Sequence, residues 1–141
     1  MNNLDNIEEN LLEPFLNLKG LLSQKVEYQS NENFLTFVKR MAPSIVSDFK
    51  MGNHIRVISD KLQDLEEGKI KRLMVFLPPR SSKSVICSKL FPAWYIGRHP
   101  EHEILTVSHS DQLSSDFGRS VRDVVNTEEF QKIFRGVQLR S

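Results

Sequence analysis

A single cysteine, Cys87, stands in the 141 residues of this chain. That excludes an internal disulfide and any cysteine-based zinc site, and it fits a reducing compartment. Long apolar runs are missing too: no stretch approaches the roughly 18–20 residues of a membrane span. Met1 to Glu13 carries no Lys or Arg and no long apolar run, which excludes a secretory signal. An excess of one charge is also lacking. Lys and Arg number 19 against 18 Asp and Glu, for a formal net charge of +1; a chain that holds DNA mainly by charge is far more basic. What is present is ordinary for a folded domain. The chain is 39% hydrophobic and 26% charged, enough for one domain with one core and unlike a disordered segment.

The pattern is helical at first. Leu4, Ile7, Leu11, Phe15, Leu18 and Leu22 recur at steps of three and four, with an interruption expected near Pro14. Gly20 to Asn33 is polar and reads as a helix end and a loop. Asn31 is placed to cap a second helix with an apolar face of Phe34, Phe37, Val38 and Met41, ended or kinked by Pro43. A third helix carries Ile55, Ile58, Leu62 and Leu65 and stops at Gly68.

The grammar then changes. Arg72-Leu-Met-Val-Phe-Leu77 is a short, nearly continuous apolar run closed by Pro78 and Pro79, as in a strand buried on both faces of a parallel sheet. A helix follows from about Ser84, with Val85, Ile86, Leu90 and Trp94 inward and Pro92 bending or splitting it. Glu103-Ile-Leu-Thr-Val-Ser108 reads as a second strand. Ser110 or Asp111 caps the next helix, with Leu113, Phe117, Val121 and Val124 on one face. A last short helix starts at Thr127. Strand, helix, strand, helix predicts an α/β fold with a parallel sheet.

Between the first candidate strand and its helix lies Leu77-Pro-Pro-Arg-Ser-Ser-Lys-Ser84. A phosphate-binding P-loop runs G-x-x-x-x-G-K-[ST] in that setting. Lys83 and Ser84 occupy the K and [ST] positions, while Leu77 and Ser82 replace both glycines. A glycine before the lysine lets the backbone pass close to a phosphate. Serine serves there only with a negative φ or with strain. If the loop binds a nucleoside triphosphate, Lys83 bridges the β- and γ-phosphates and the Ser84 hydroxyl ligates Mg²⁺. The amides from about Arg80 through Ser81, Ser82, Lys83 and Ser84 hold the β-phosphate, with Pro79 opening the candidate nucleotide-binding loop, and Arg80 reaches the γ-phosphate. Lys83 and Arg80 are then the candidate catalytic residues. A plain strand-to-helix turn, with Arg80 a solvated charge, is the alternative.

The run from Phe76 to Ser84, followed by Phe91-Pro-Ala-Trp-Tyr-Ile-Gly-Arg-His-Pro100, resembles phage terminase large subunits, the ATPases that package DNA. That family has a Pro-Pro-Arg-x-x-Lys-Ser loop, a Phe-Pro-Ala-Trp block and a Gly-Arg-Asn-Pro-like turn. Thr106-Val-Ser-His-Ser110, Leu113 to Arg122 and Phe130 to Val137 resemble the blocks that follow. Phe34-x-x-Phe37-Val-Lys-Arg and Gly52-Asn-His54 resemble the helical region that holds adenine, which implies a contact from His54. The resemblance spans roughly Asn33 to Ser141, and its specificity lies in the order of the blocks. It implies an N-terminal helical segment over 1–30 and the first half of an ASCE-type P-loop ATPase domain over 31–141. Within that half, the adenine-side helical region is 31–68 and the βαβα unit is 70–141. It also implies ATP and Mg²⁺ as cofactors. Double-stranded phage DNA, the terminase small subunit and the portal are the implied partners, in a homo-oligomeric ring in the host cytoplasm. After Ser84 no run of four apolar residues precedes Asp-Glu, so the Walker B carboxylates and the nuclease domain are expected to be absent. The expectation is therefore ATP binding without efficient hydrolysis.

Two other readings remain open at this level: a nucleotide-independent module or decoy that docks on the packaging motor, and a different P-loop enzyme. The remaining residues have simpler accounts. His54 is equally a packed or surface histidine. His99 and His102 are too few to suggest a metal site. Trp94 and Phe91 read as core, Arg119 and Arg122 as a solvated helix face beside Asp116 and Asp123, and Cys87 as a small buried side chain.

Overall fold

The computed structural model describes residues 5–137, with side chains from Leu16 onward. Helix starts follow local capping chemistry. The Asn33 carboxamide accepts from the Thr36 amide at 2.9 Å and opens α2, Phe34–Ile45; the cap is Asn33 and not Asn31. Ser110 accepts from the Leu113 amide and opens α5, Asp111–Val125. Thr127 does the same toward Phe130 for α6, Glu128–Ile133, whose first turn holds Glu128 and Glu129 against the positive end of the helix. Between them, α3 spans Asn53–Glu66 and α4 spans Phe91–Arg98.

Two stops and one interruption have equally local causes. Beyond α3, Gly68 takes φ 73°. Its amide bonds to the Leu65 carbonyl, and the Lys69 amide bonds to Asp64 at 2.9 Å, a Schellman closure that needs a left-handed residue. A π-helical turn, Val85–Leu90, precedes α4, and the Phe91 amide reaches back five residues to Ile86. Pro92 follows at the start of α4. The wider turn gives its ring room beside the preceding carbonyls, where an α-turn would clash. Pro43 sits inside α2, which runs two residues past it to Ile45.

The first helix differs from the sequence expectation. α1 is continuous over Asp5–Glu32, through Pro14 and Gly20. Leu21, Leu22, Gln24, Lys25 and Glu27 are strong helix formers, and together they outweigh the roughly 1 kcal/mol that one glycine costs. The described part of the predicted stripe does not become core. Leu18 and Leu22 are exposed, and Leu4, Ile7, Leu11 and Phe15 lie outside the residues whose side chains are described. The end of α1 is anchored: the Trp94 indole donates to the carbonyls of Ser30 and Asn31 at 3.1 and 3.0 Å.

The core gathers the inward faces of α2, α3, the π turn with α4, and the end of α5 with α6. Phe34, Phe37, Val38 and Met41 from α2 meet Ile86, Leu90, Ala93 and Trp94. Phe34 packs edge-on against Phe91 at 5.4 Å and tilts against Trp94 at 5.2 Å. On its other side, Phe37 meets Phe130 and Phe134. Aromatic side chains carry the largest buried areas, so this cluster dominates the stability of the fold.

The α/β expectation is overturned. Every regular element among the described residues is helical, and there is no strand and no sheet. Residues 72–78 and 102–108 run without helix, turn or bend, as an extended chain does, but a strand needs a neighbour about 4.8 Å away to receive its backbone bonds, and neither segment has one. Over 73–77 the apolar residues alternate. Leu73, Val75 and Leu77 rest against the helices, whereas Met74 and Phe76 point outward, Phe76 being 81% exposed. In the second segment Leu105 and Val107 are also outward. A continuous apolar run was read as burial on two faces; the fold covers one face of the first segment and leaves the second uncovered.

Candidate phosphate-binding loop

Pro78 and Pro79 close the first extended segment, each with its φ fixed by the ring. The chain then turns sharply. Arg80 has φ 64° and Ser82 has φ 60°, the only non-glycine residues with positive φ among those described. The Ser81 hydroxyl closes the turn by donating to the Pro78 carbonyl at 2.7 Å. Helix begins at Lys83, and the Ser82 carbonyl accepts its first bond, from Ile86 at 3.0 Å. Each left-handed non-glycine residue costs roughly 1–2 kcal/mol, so the loop stores strain of the kind found at ligand sites. Of the two routes by which serine can stand in for glycine, Ser82 takes the strained one.

The consequence is an alternation in the sign of φ from Pro79 to Lys83. Alternating handedness along successive residues turns neighbouring amides into one concavity, an anion-binding nest. The amides from Ser82 to Val85 have no hydrogen bond to an acceptor among the described residues. Those of Lys83 onward are the unsatisfied donors at a helix start, where the dipole also favours an anion.

The charged side chains are uncommitted as well. Neither Lys83 nor Arg80 has an ion-pair or hydrogen-bond partner among the described residues. Lys83 is half-buried, while Arg80 and Ser84 are exposed. Lys83 lies one turn before Cys87. Burial pushes the Cys87 thiol up, and the Lys83 charge opposes that rise. The net direction keeps Cys87 a thiol, which agrees with its reading as a small packed side chain.

His54 lies elsewhere. It is exposed in the first turn of α3, its ring against Gly52. It borders an open groove of about 310 Å³ between α3 and residues 73–77, with Val57 and Lys61 on the helix side. The groove stops at Leu77; Lys83 and Ser84 do not line it. The structure therefore brings together Pro79, Arg80, Ser81, Ser82, Lys83 and Ser84, and it leaves His54 beside an adjoining groove. Chemically, the loop offers amides, one ammonium, one guanidinium and one hydroxyl, a set suited to a polyphosphate with its metal ion.

Sequence reasoning missed a second polar cluster, where α4 ends. Arg98 and His99 both meet the buried carboxylate of Glu66 at 2.8 Å, and Glu101 and His102 lie alongside. The His-Pro-Glu-His spacing was visible in the sequence, but Glu66, 33 residues away, was not.

Comparison of the chain with family models, with curated proteins and with solved structures finds no match. Among the described residues, no helix is long and apolar enough to cross a membrane.

Proposed function

We propose that this chain is the ATP-binding portion of a phage terminase large subunit, with Lys83 and Ser84 as the polyphosphate and Mg²⁺ contacts. The observation that carries the reading is the strained loop. Arg80 and Ser82 adopt left-handed φ without being glycine, directly before a helix start whose amides are unpaired. A plain turn has no need of that strain. The ordered blocks from Phe76 to Val137 supply the family, and the reading rests on loop and blocks, without a sheet. Lys83 neutralises the β- and γ-phosphates, Arg80 meets the γ-phosphate and His54 contacts the base. In the complete motor the work is the packaging of double-stranded DNA beside the small subunit and portal.

The test is thermal unfolding with and without Mg²⁺ and a non-hydrolysable ATP analogue. The expected result is a rise in Tm that is lost in Lys83→Ala. Equal melting temperatures for the parent chain would contradict the reading.

A second reading has its own support. Met74, Phe76, Leu105 and Val107 present large apolar side chains to solvent, which suits a module that docks on the packaging motor and needs no nucleotide. Co-purification with a complete large subunit, unchanged in Lys83→Ala, favours that reading; no association removes it.

A further inference from the structure

The helical run that starts at Lys83 ends at Arg98, on the order of 20 Å away at about 1.5 Å per residue. There the chain turns through His99-Pro-Glu-His102. His99 is the C-cap of α4, and its amide bonds to Tyr95. The His102 amide bonds back to the His99 carbonyl at 3.0 Å, so three residues with ligating side chains fold into one tight turn.

Each imidazole has one nitrogen fixed by a partner. His99 Nε2 lies 2.8 Å from Glu66 Oε1, a carboxylate that is almost fully buried and also accepts from Arg98 Nε. That bond places the His99 proton on Nε2 and leaves a lone pair on Nδ1. His102 Nδ1 lies 3.0 Å from the Tyr95 hydroxyl. The hydroxyl can accept as well as donate, and in the tautomer with the proton on Nδ1 the ring keeps a lone pair on Nε2. The Glu101 carboxylate stands between the two remaining nitrogens: Oε1 is 3.9 Å from His99 Nδ1 and 3.7 Å from His102 Nε2. One ligand atom from each of the three residues lies within 4.8 Å of the others.

Closing the end of α4 accounts for the bonds to Glu66 and Tyr95. It does not account for two further ring nitrogens and a carboxylate oxygen converging without a hydrogen bond among them. We propose that His99, Glu101 and His102 form a binding site for a divalent transition-metal ion, represented by Zn²⁺. Three protein ligands leave a fourth position open to water or to a group on another molecule. Two imidazoles and one carboxylate select zinc, cobalt, nickel or copper over magnesium and calcium. Metal–ligand bonds of about 2.0–2.2 Å in a tetrahedron put ligand atoms about 3.4 Å apart. The two distances to Glu101 Oε1 therefore need a contraction of about 0.3–0.5 Å, and the two ring nitrogens, within 4.8 Å of each other, one of up to about 1.4 Å. The two rings are nearly parallel, 11° apart, so one must turn to aim its lone pair. His102 is half exposed on the outer side of the turn and is the ring free to do so. Glu66 and Tyr95 are positioning residues: each holds the far nitrogen of a ligand ring, as outer partners of zinc-bound histidines do. The site is independent of the nucleotide reading, since it uses neither Lys83 nor Ser84.

The test is calorimetric titration of the untagged full chain with Zn²⁺, beside His102→Ala, Glu101→Gln, Glu66→Gln and His109→Ala, each first shown to be folded by its helical circular dichroism. Co²⁺ absorption in the visible reports ligand geometry in parallel. The expected result is one saturable site with micromolar affinity, unaffected by millimolar Mg²⁺. Affinity drops at least about tenfold in His102→Ala and Glu101→Gln, stays unchanged in His109→Ala, and falls about tenfold or more in Glu66→Gln, whose role is orientation. No saturation below about 100 µM in the parent chain, or affinity retained in either ligand variant, overturns the site.

Discussion

The aromatic core and the two extended segments are built from equally apolar sequence and end in opposite states. In α2, Phe34, Phe37, Val38 and Met41 are all fully buried; in residues 103–107, Leu105 is 88% exposed. The difference lies in the backbone. A helix satisfies its own amides and carbonyls and needs only a surface to cover its apolar stripe. An extended segment must borrow its hydrogen bonds from a neighbour. The helical region is therefore self-sufficient, while stability of the extended region depends on what it touches. The phosphate loop sits at the junction, with an extended segment before it and a helix after it.

Four substitutions break or sharpen this contrast. The largest effect is expected in the core. Trp94→Ala removes the fully buried indole and its bonds to Ser30 and Asn31, and should cost about 3–5 kcal/mol in denaturant unfolding. At the junction, a ligand at about 100 times its Kd adds about 2.7 kcal/mol, and Lys83→Ala should abolish that increment while leaving the unliganded stability nearly unchanged. Ser82→Gly relieves a left-handed residue at roughly 1–2 kcal/mol and loses some of that to the freer unfolded chain. A net gain of about 0.5–1 kcal/mol in the unliganded protein is expected, and a loss would show that φ 60° is not a strain there. Smallest is Phe76→Ser. Its side chain is outward, so stability should move by less than about 0.5 kcal/mol, whereas self-association, measured by sedimentation, should fall.

The same contrast explains what was legible in the sequence. The faces of α2 and α3, the stop at Gly68 and the helix starts near Ser110 and Thr127 follow from periodicity and from side chains acting within four residues. The sheet was misread because an apolar run between prolines specifies an extended backbone without specifying a neighbour. α1 was misread at Gly20 because one breaker was given more weight than the helix formers after it. In the loop, the chemistry of Lys83 and Ser84 was legible from spacing, but the left-handed turns at Arg80 and Ser82 were not, since neither residue type signals positive φ. The cluster around His99 depends on Glu66, and only folding brings α3 against the end of α4.

The most direct measurement is equilibrium binding of Mg²⁺ with a non-hydrolysable ATP analogue to the purified chain, followed by calorimetry for the parent, Lys83→Ala and Ser84→Ala. Saturable one-to-one binding that vanishes in Lys83→Ala and weakens in Ser84→Ala is the predicted result. Absence of binding in the parent chain, or binding indifferent to both substitutions, would contradict the assignment of this loop to polyphosphate.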